Sequence, residues 1–398
     1  MLSNLLNAVK PSPTLAITKT AGEMRRRGVD VIGLSQGEPD FPTPEHICEA
    51  AKQAIDAGAT RYTDVDGTRE LKEAIARKFW RDNSLSYETT EISVGTGGKQ
   101  VIFNALLATI NVGDEVIIPA PYWVSYPDMV RLAGGVPVEV ECSEQQGFKV
   151  TAAQLKAAIT PRTKWIILNS PSNPTGSGYS RTELAEIGEE LLKHPHVLVM
   201  TDDMYEHIRY DGWQFSTIAS VVPELRDRTL TVNGVSKSYA MTGWRIGYAG
   251  GPTTLIQAMS TIQSQSTSNP CSVAQAAALA ALDGSMEFIT PRNQAFQRRR
   301  DDCLSALNSI EGLSCRKPEG AFYLFPSCGG LIGKATQDGV VLRNDVDVCQ
   351  YFLDRAHVAA VPGSAFGLEG YFRISFATSD ERLAEACKRI KEVCSVLA

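Results

Sequence analysis

Nowhere in the chain do about 18 apolar residues run together, the least that a membrane-crossing helix needs, and the mean hydropathy of −0.12 agrees. The expectation is a soluble protein. Neither sign of charge dominates: 39 Lys and Arg against 45 Asp and Glu leave a net charge of −6. No basic tail or patch therefore points to nucleic acid or to an anionic membrane surface, and a small-molecule partner is expected. Cysteine lacks pattern rather than number. The nine residues are an odd count with no C-x-x-C spacing, which argues against a disulfide framework and a structural zinc site and fits a reducing cytoplasm. Cys387 and Cys394, on an expected helix, read as buried apolar thiols. Met1 to Val9 lack the basic segment and small-residue cleavage site of an export signal, and Lys10, Pro11 and Pro13 follow directly. Internal repeats and low-complexity segments are missing as well.

What is present suffices for a sizeable core: 43% apolar and 21% charged residues over 398 positions, a length that predicts two or three domains at roughly 150 residues each. Thr43 before Pro44, Thr151 with Gln154, and Ser180 with Glu183 each place a capping oxygen ahead of a helical stripe. Between helices lie short β-branched runs, at Val116 to Pro119, Trp165 to Leu168, Val197 to Met200, Leu230 to Val232 and Ile246 to Ala249. They are apolar without alternation, as in a sheet buried on both faces. An α/β architecture with a mostly parallel sheet follows. From about residue 310 the texture changes to Gly-rich and aromatic strand pieces (Gly320 to Phe325, Val358 to Val361, Phe372 to Phe376) and a final charged helix, which predicts a smaller α+β domain. A long helix around Pro291 to Ile310 is expected to connect the two, and roughly the first 40 residues to return to the smaller one.

Ligands of open α/β sheets bind beyond the carboxyl ends of the strands, so the residues after each strand carry the functional information. After Ile92 to Val94 comes Gly95-Thr96-Gly97-Gly98-Lys99 at the start of a helix, an anion cradle of free backbone N–H groups. Gln100 stands where G-x-G-x-x-G needs its third glycine, so a dinucleotide reading fails. After Trp165 to Leu168 comes Asn169-Ser170-Pro171-Ser172-Asn173-Pro174-Thr175-Gly176, whose prolines stiffen the turn that carries the Asn173 amide. Asp202, Asp203 and Tyr205 follow the third run, and Ser236-Lys237 the fourth. Each alone reads equally well as a turn, a cap or a solvated charge. Together they set a phosphate cradle, an amide, a carboxylate, a phenol and a lysine around one crevice. Pyridoxal 5'-phosphate needs that set: an amine for its aldehyde, a carboxylate for its ring nitrogen, donors for its ring oxygen and an anion site.

The ordered motifs Gly37-Glu38-Pro39-Asp40-Phe41, Tyr62 with Gly67, Gly97-Gly98-Lys99, Pro121-Tyr122-Trp123, Asn173-Pro174-Thr175-Gly176, Asp202 with Tyr205, Ser236-Lys237, Gly243-Trp244-Arg245 and Arg373 run nearly end to end. In these the chain resembles a fold-type I, class I aminotransferase of the bacterial aspartate aminotransferase branch. The resemblance implies a pyridoxal-phosphate-dependent transferase fold with a large domain built on a seven-stranded, mostly parallel sheet. It implies an N-terminal arm with part of the small domain over 1–45, a large cofactor-binding domain over 46–300 and a small domain over 301–398. Lys237 resembles the lysine that carries the cofactor and then moves the substrate proton as general base and acid. Asp202 would hold the ring nitrogen, Asn173 and Tyr205 the ring oxygen, and Trp123 one ring face, while Gly97, Gly98, Lys99, Ser236 and Arg245 would hold the phosphate side. Tyr62 resembles a tyrosine that reaches the phosphate of a neighbouring subunit, which implies a symmetric homodimer with shared sites. Arg373, aided by Gly37 and bordered by Trp123 and Asn173, would grip the substrate α-carboxylate; Lys10 and Lys99 are the candidates for its side-chain carboxylate.

The implied reaction carries an amino group from L-aspartate through pyridoxamine phosphate to 2-oxoglutarate, by a ping-pong route in the cytoplasm, with prephenate as a further substrate in the branch. The alternative is a β-eliminating lyase on the same fold, sharing Lys237, Asp202 and Arg373 but releasing ammonia and pyruvate. A transcription regulator on this fold would need an added DNA-binding segment, for which no basic patch is present.

Overall fold

The computed structural model describes residues 6, 7, 9 and 13–398. Twelve strands are described: β1 (Ile32–Gly33), β2 (Ile92–Gly95), β3 (Glu115–Ala120), β4 (Val136–Glu141), β5 (Thr163–Asn169), β6 (Leu198–Asp202), β7 (Thr229–Gly234), β8 (Gly247–Gly250), β9 (Tyr323–Leu324), β10 (Val358–Ala359), β11 (Val361–Pro362) and β12 (Phe372–Ser375). Seven form the main sheet in the order β2-β8-β7-β6-β5-β3-β4, parallel throughout except for β8, which runs antiparallel to both neighbours.

Alternate side chains of the central strands enter two separate cores. Val116, Ile118, Trp165 and Ile167 pack with Val101, Leu106, Ile256 and Met259 on one face. Ile117, Ile166, Leu168 and Val199 pack with Leu184, Ile187 and Leu191 on the other. Burial on both faces is why these strands read as unbroken apolar runs; each fully buried branched side chain contributes about 1.5–3 kcal/mol of transfer free energy. Strand β4 escaped the sequence reading because it sits at the sheet edge, where its Val-Pro-Val-Glu-Val-Glu stretch is only partly buried.

Apart from the main sheet, the antiparallel sheet β11-β12-β9 shares a hydrophobic core with the helices Ile289–Asn308 and Asp380–Cys394. Strand β1 pairs parallel with β10, Ile32 opposite Val358 and Gly33 opposite Ala359. Cys387 and Cys394 are buried in that core, and Cys387 Sγ lies 3.6 Å from Cys303 Sγ.

Capping boxes form at Thr151 with Gln154 and at Ser180 with Glu183. Thr43 differs from expectation. The helix Glu45–Asp56 has no side-chain cap; the Thr43 hydroxyl instead donates to the Ala240 carbonyl (2.7 Å) and accepts from Trp244 Nε1 (3.1 Å). A threonine placed as a cap thus ties the N-terminal segment to the loop that follows Lys237.

Candidate active site

The carboxyl ends of β5, β6 and β7, the Gly-rich turn after β2 and the strand β12 surround one cavity of about 350 Å³. At the Gly-rich turn the chain reverses through Gly97 at φ 86°, and the helix Gly98–Thr109 starts without a side-chain cap. Its first N–H groups and the positive end of its dipole are left for an anion. A Cβ on Gly97 would collide with the Arg245 guanidinium, so glycine here lets that cation close on the turn. Arg245 itself adopts φ 58°, a costly conformation for a side-chain-bearing residue, and donates to the Thr242 carbonyl at 2.8 Å.

At the end of β5, Asn169 donates to the Asp202 carbonyl and accepts from the Asn173 N–H, both at 2.8 Å, so the turn carrying Asn173 is pinned to β6. Asp202 closes β6. Its carboxylate is buried and accepts from the Tyr126 hydroxyl (2.7 Å) and the Met204 N–H (3.3 Å). Burial raises its pKa in spite of those donors and of the Lys237 charge.

Lys237 follows β7, and its Nζ donates to the Gly37 carbonyl. Burial first, then the neighbouring cations Arg373 and Arg245, lower its pKa to about 8 against the opposing pull of Glu38 and Asp202. An amine so tuned is neutral in appreciable fraction near physiological pH, as a nucleophile must be.

Arg373 enters from β12 and is 3% exposed. One terminal nitrogen donates to Asn173 Oδ1 (2.8 Å), the other to the Ser35 carbonyl (2.6 Å), and its Nε has no partner among the described residues. The guanidinium carbon lies over the rings of Tyr323 and Phe366, 4.7 and 5.0 Å from their centroids. A flat cation with an unpartnered buried donor, held by aromatic faces, suits a planar anion such as a carboxylate.

The cavity thus brings together Gly37, Gly98, Lys99, Trp123, Asn173, Asp202, Tyr205, Ser236, Lys237, Arg245 and Arg373. Trp123 is half-buried, edge-on to Tyr126 at 5.3 Å, with the Lys99 ammonium 5.0 Å over its ring. Tyr62 is not brought in: it is 91% exposed and lines a separate hollow with Arg61 and Thr267. Lys10 lies outside the described residues. Two residues that sequence reasoning missed complete the wall. Tyr126 follows Trp123 by three positions, and its neighbours carry no signal that it would meet Asp202. Tyr323 lay within an expected strand, and its hydroxyl sits 2.7 Å from that of Tyr205.

The family model described as "Aminotransferase class I and II" matches residues 29–390. The chain belongs to this family. It is 59% identical over 397 residues to the aspartate/prephenate aminotransferase of Cereibacter sphaeroides, covering all of this chain and 99% of that one. With the crystal structure of the aspartate aminotransferase from Rhizobium meliloti it shares 54% identity and a TM-score of 0.98, each chain fully covered. The aspartate aminotransferase of Thermus thermophilus, solved with maleate, superposes with a TM-score of 0.93 at 43% identity over 99% of both chains. The seven-stranded fold is therefore that of the aminotransferases, and these relatives do not favour the lyase.

Membership implies pyridoxal phosphate, and the residues present suit it. Asp202 is a buried carboxylate that no ion pair reaches among the described residues, Lys237 is an amine with a depressed pKa, and the Gly97 turn opens a helix whose first N–H groups have no side-chain cap.

Proposed function

We propose that the protein is an aspartate aminotransferase that uses pyridoxal 5'-phosphate. In this reading L-aspartate gives up its amino group and leaves as the 2-oxo acid, and 2-oxoglutarate then takes the group, by a ping-pong route in the cytoplasm. The observation that carries it is the convergence of Lys237, Asp202, Asn173 and Arg373 on one cavity. When bound, the cofactor supplies an electron sink for the pair left on the substrate Cα as its proton is removed.

The chain's own residues do the rest. Arg373 binds the α-carboxylate and, with Asn173, orients the Cα–H bond toward Lys237. Lys237 Nζ would take that proton from Cα and return it to the cofactor carbon on the other side of the nitrogen, two atoms away, acting as base and then as acid. Asp202 would keep the ring nitrogen protonated through a charge-assisted bond worth about 1.5–3 kcal/mol, and the Tyr126 hydroxyl holds that carboxylate in place. Asn173 and Tyr205 would serve the ring oxygen, Trp123 a ring face, and Gly97 to Lys99, Ser236 and Arg245 the phosphate. Exposed Tyr62 is assigned to the site of a second copy, making the working unit a homodimer. Small amino and keto acids are its partners, with prephenate a further candidate in view of the Cereibacter sphaeroides relative's name.

Titration of the purified, cofactor-loaded protein with L-aspartate and then 2-oxoglutarate tests the reading. The visible absorbance should be lost with the first and regained with the second. Bleaching with ammonia release and no recovery would instead mean the lyase.

Lys99 and Lys10 divide the side-chain carboxylate question. With the Lys99 ammonium beside Trp123 at the cavity wall, Lys99→Met should raise KM for aspartate about tenfold and leave KM for alanine within about twofold. Equal effects on both substrates would remove Lys99 as the side-chain reader, and the same comparison on Lys10→Ala decides the other candidate.

A further inference from the structure

Two phenols meet where the large and small domains face each other. Tyr205 follows β6; Tyr323 lies on β9, in register with Ser375, two positions beyond Arg373 on β12. Their hydroxyl oxygens are 2.7 Å apart and both side chains are buried. The same Tyr323 ring lies under the Arg373 guanidinium. Its hydroxyl also packs against Gly37, where a Cβ would come within 2.5 Å of it, and the Gly37 carbonyl accepts from Lys237.

A phenol has one proton to donate. If Tyr205 directs its proton at the cofactor's ring oxygen, the 2.7 Å contact can be a hydrogen bond only with Tyr323 as donor. We infer that Tyr323 is a positioning residue: by donating to Tyr205 Oη it fixes Tyr205 as a donor toward the cofactor's ring oxygen. The inference rests on the pyridoxal phosphate reading of the cavity.

Three observations carry it. The pair is buried, so each hydroxyl depends on the other for a partner and is costly to leave unpaired. A phenol that accepts a hydrogen bond becomes a stronger donor in turn, more so in a low-dielectric site. The Arg373 cation over the Tyr323 ring draws charge from that ring and sharpens its hydroxyl as a donor. The charged and titratable groups facing the two phenols and Lys237 are Arg373, Asp202, Glu38 and Arg245, with Tyr126 on the far side of Asp202. All of them are retained when only the Tyr323 hydroxyl is removed.

The test compares wild type, Tyr323→Phe, Tyr205→Phe and the double variant, each loaded with pyridoxal phosphate, by the pH midpoint of the visible absorbance, by kcat and KM for aspartate, and by maleate affinity. A weaker donor stabilises negative charge on the ring oxygen less, so the protonated chromophore should persist to higher pH. Tyr323→Phe is expected to raise the midpoint by about half to one pH unit and to lower kcat several-fold, with KM within about twofold. In the Tyr205→Phe background the same change should move nothing further. Maleate should bind within about twofold of wild type, because phenylalanine keeps the ring under Arg373.

An unmoved midpoint, or a shift that persists in full without the Tyr205 hydroxyl, would overturn the inference. So would a tenfold loss of maleate affinity at an unchanged midpoint, which would assign Tyr323 to the carboxylate side alone. Wild type that develops no visible absorbance with pyridoxal phosphate would refute the cofactor reading itself, a result none of the variants can mimic.

Discussion

Replacement of Lys237 by alanine should lower kcat/KM for aspartate by at least about 10⁴-fold, the full effect of removing a group that in the proposed reading is general acid–base and also holds the cofactor. Among the described residues no other amine is placed to stand in. The Lys99 ammonium is engaged over Trp123, whereas Lys237 Nζ sits at the Gly37 carbonyl, within the fields of Asp202 and Arg373. Lys237→Arg should be no better, since a guanidinium keeps its proton at any working pH. The variant that retained more than about a hundredth of wild-type turnover would deny Lys237 its role.

The same residue makes a stability prediction with a definite sign. In the cofactor-free protein the Lys237 pKa is about 8, below its ordinary 10.5. Between those two values the unfolded chain binds more protons than the folded one, so the lysine's contribution to stability rises with pH across that window. Below it the folded protein holds a charged ammonium in a partly desolvated place. Cofactor-free Lys237→Met should therefore melt above wild type at about pH 7, with the gap closing as pH rises from about 8 to 10.5. A gap that does not depend on pH would show that packing rather than charge is responsible.

How much of this was legible in the sequence depends on how local the signal is. The β3, β5, β6 and β7 cores were readable because strands buried on both faces must be apolar without interruption, and the capping boxes at Thr151 and Ser180 because the two partners are three residues apart. Edge strand β4 was not, since its half-exposed side chains imitate a loop with scattered valines. The crevice residues Asp202, Asn173 and Lys237 could be listed because each follows a strand in a parallel sheet, and topology gathers such ends without further instruction. Tyr126 and Tyr323 reach the same cavity by contacts 76 and 118 positions apart in the chain. Nothing within a few residues of either reports such a contact, and a tyrosine bound for a core looks the same. Thr43 illustrates the opposite error: its local pattern suited a cap, and a partner 197 residues away took the hydroxyl instead.

Arg373 supplies the second large effect, because its interactions connect β12 with the main sheet. It stands on β12, yet it donates to Asn173 beyond β5 and to the Ser35 carbonyl, and its Nε has no partner among the described residues. In the proposed reading, a substrate carboxylate that engages this fork ties β12 to the turn that carries Asn173. Arg373→Lys keeps a charge but loses the planar fork and the stacking on Tyr323 and Phe366. Truncating one partner of a buried charged pair costs about 2–5 kcal/mol, about 30- to 5,000-fold; lysine keeps the charge and should fall toward the lower end, lowering kcat/KM for aspartate about 30- to 300-fold, with maleate affinity falling alongside. Reaction of the loaded protein with methylamine, an amine that has no carboxylate, should be unchanged within about threefold, since nothing in it addresses Arg373. A parallel loss with methylamine would mean that the variant had disturbed the cofactor site and not carboxylate recognition. The bridge also has a mechanical consequence: maleate should compact the wild-type protein in solution scattering and leave Arg373→Lys unchanged, because closure draws on binding energy only where the carboxylate can connect β12 with the main sheet.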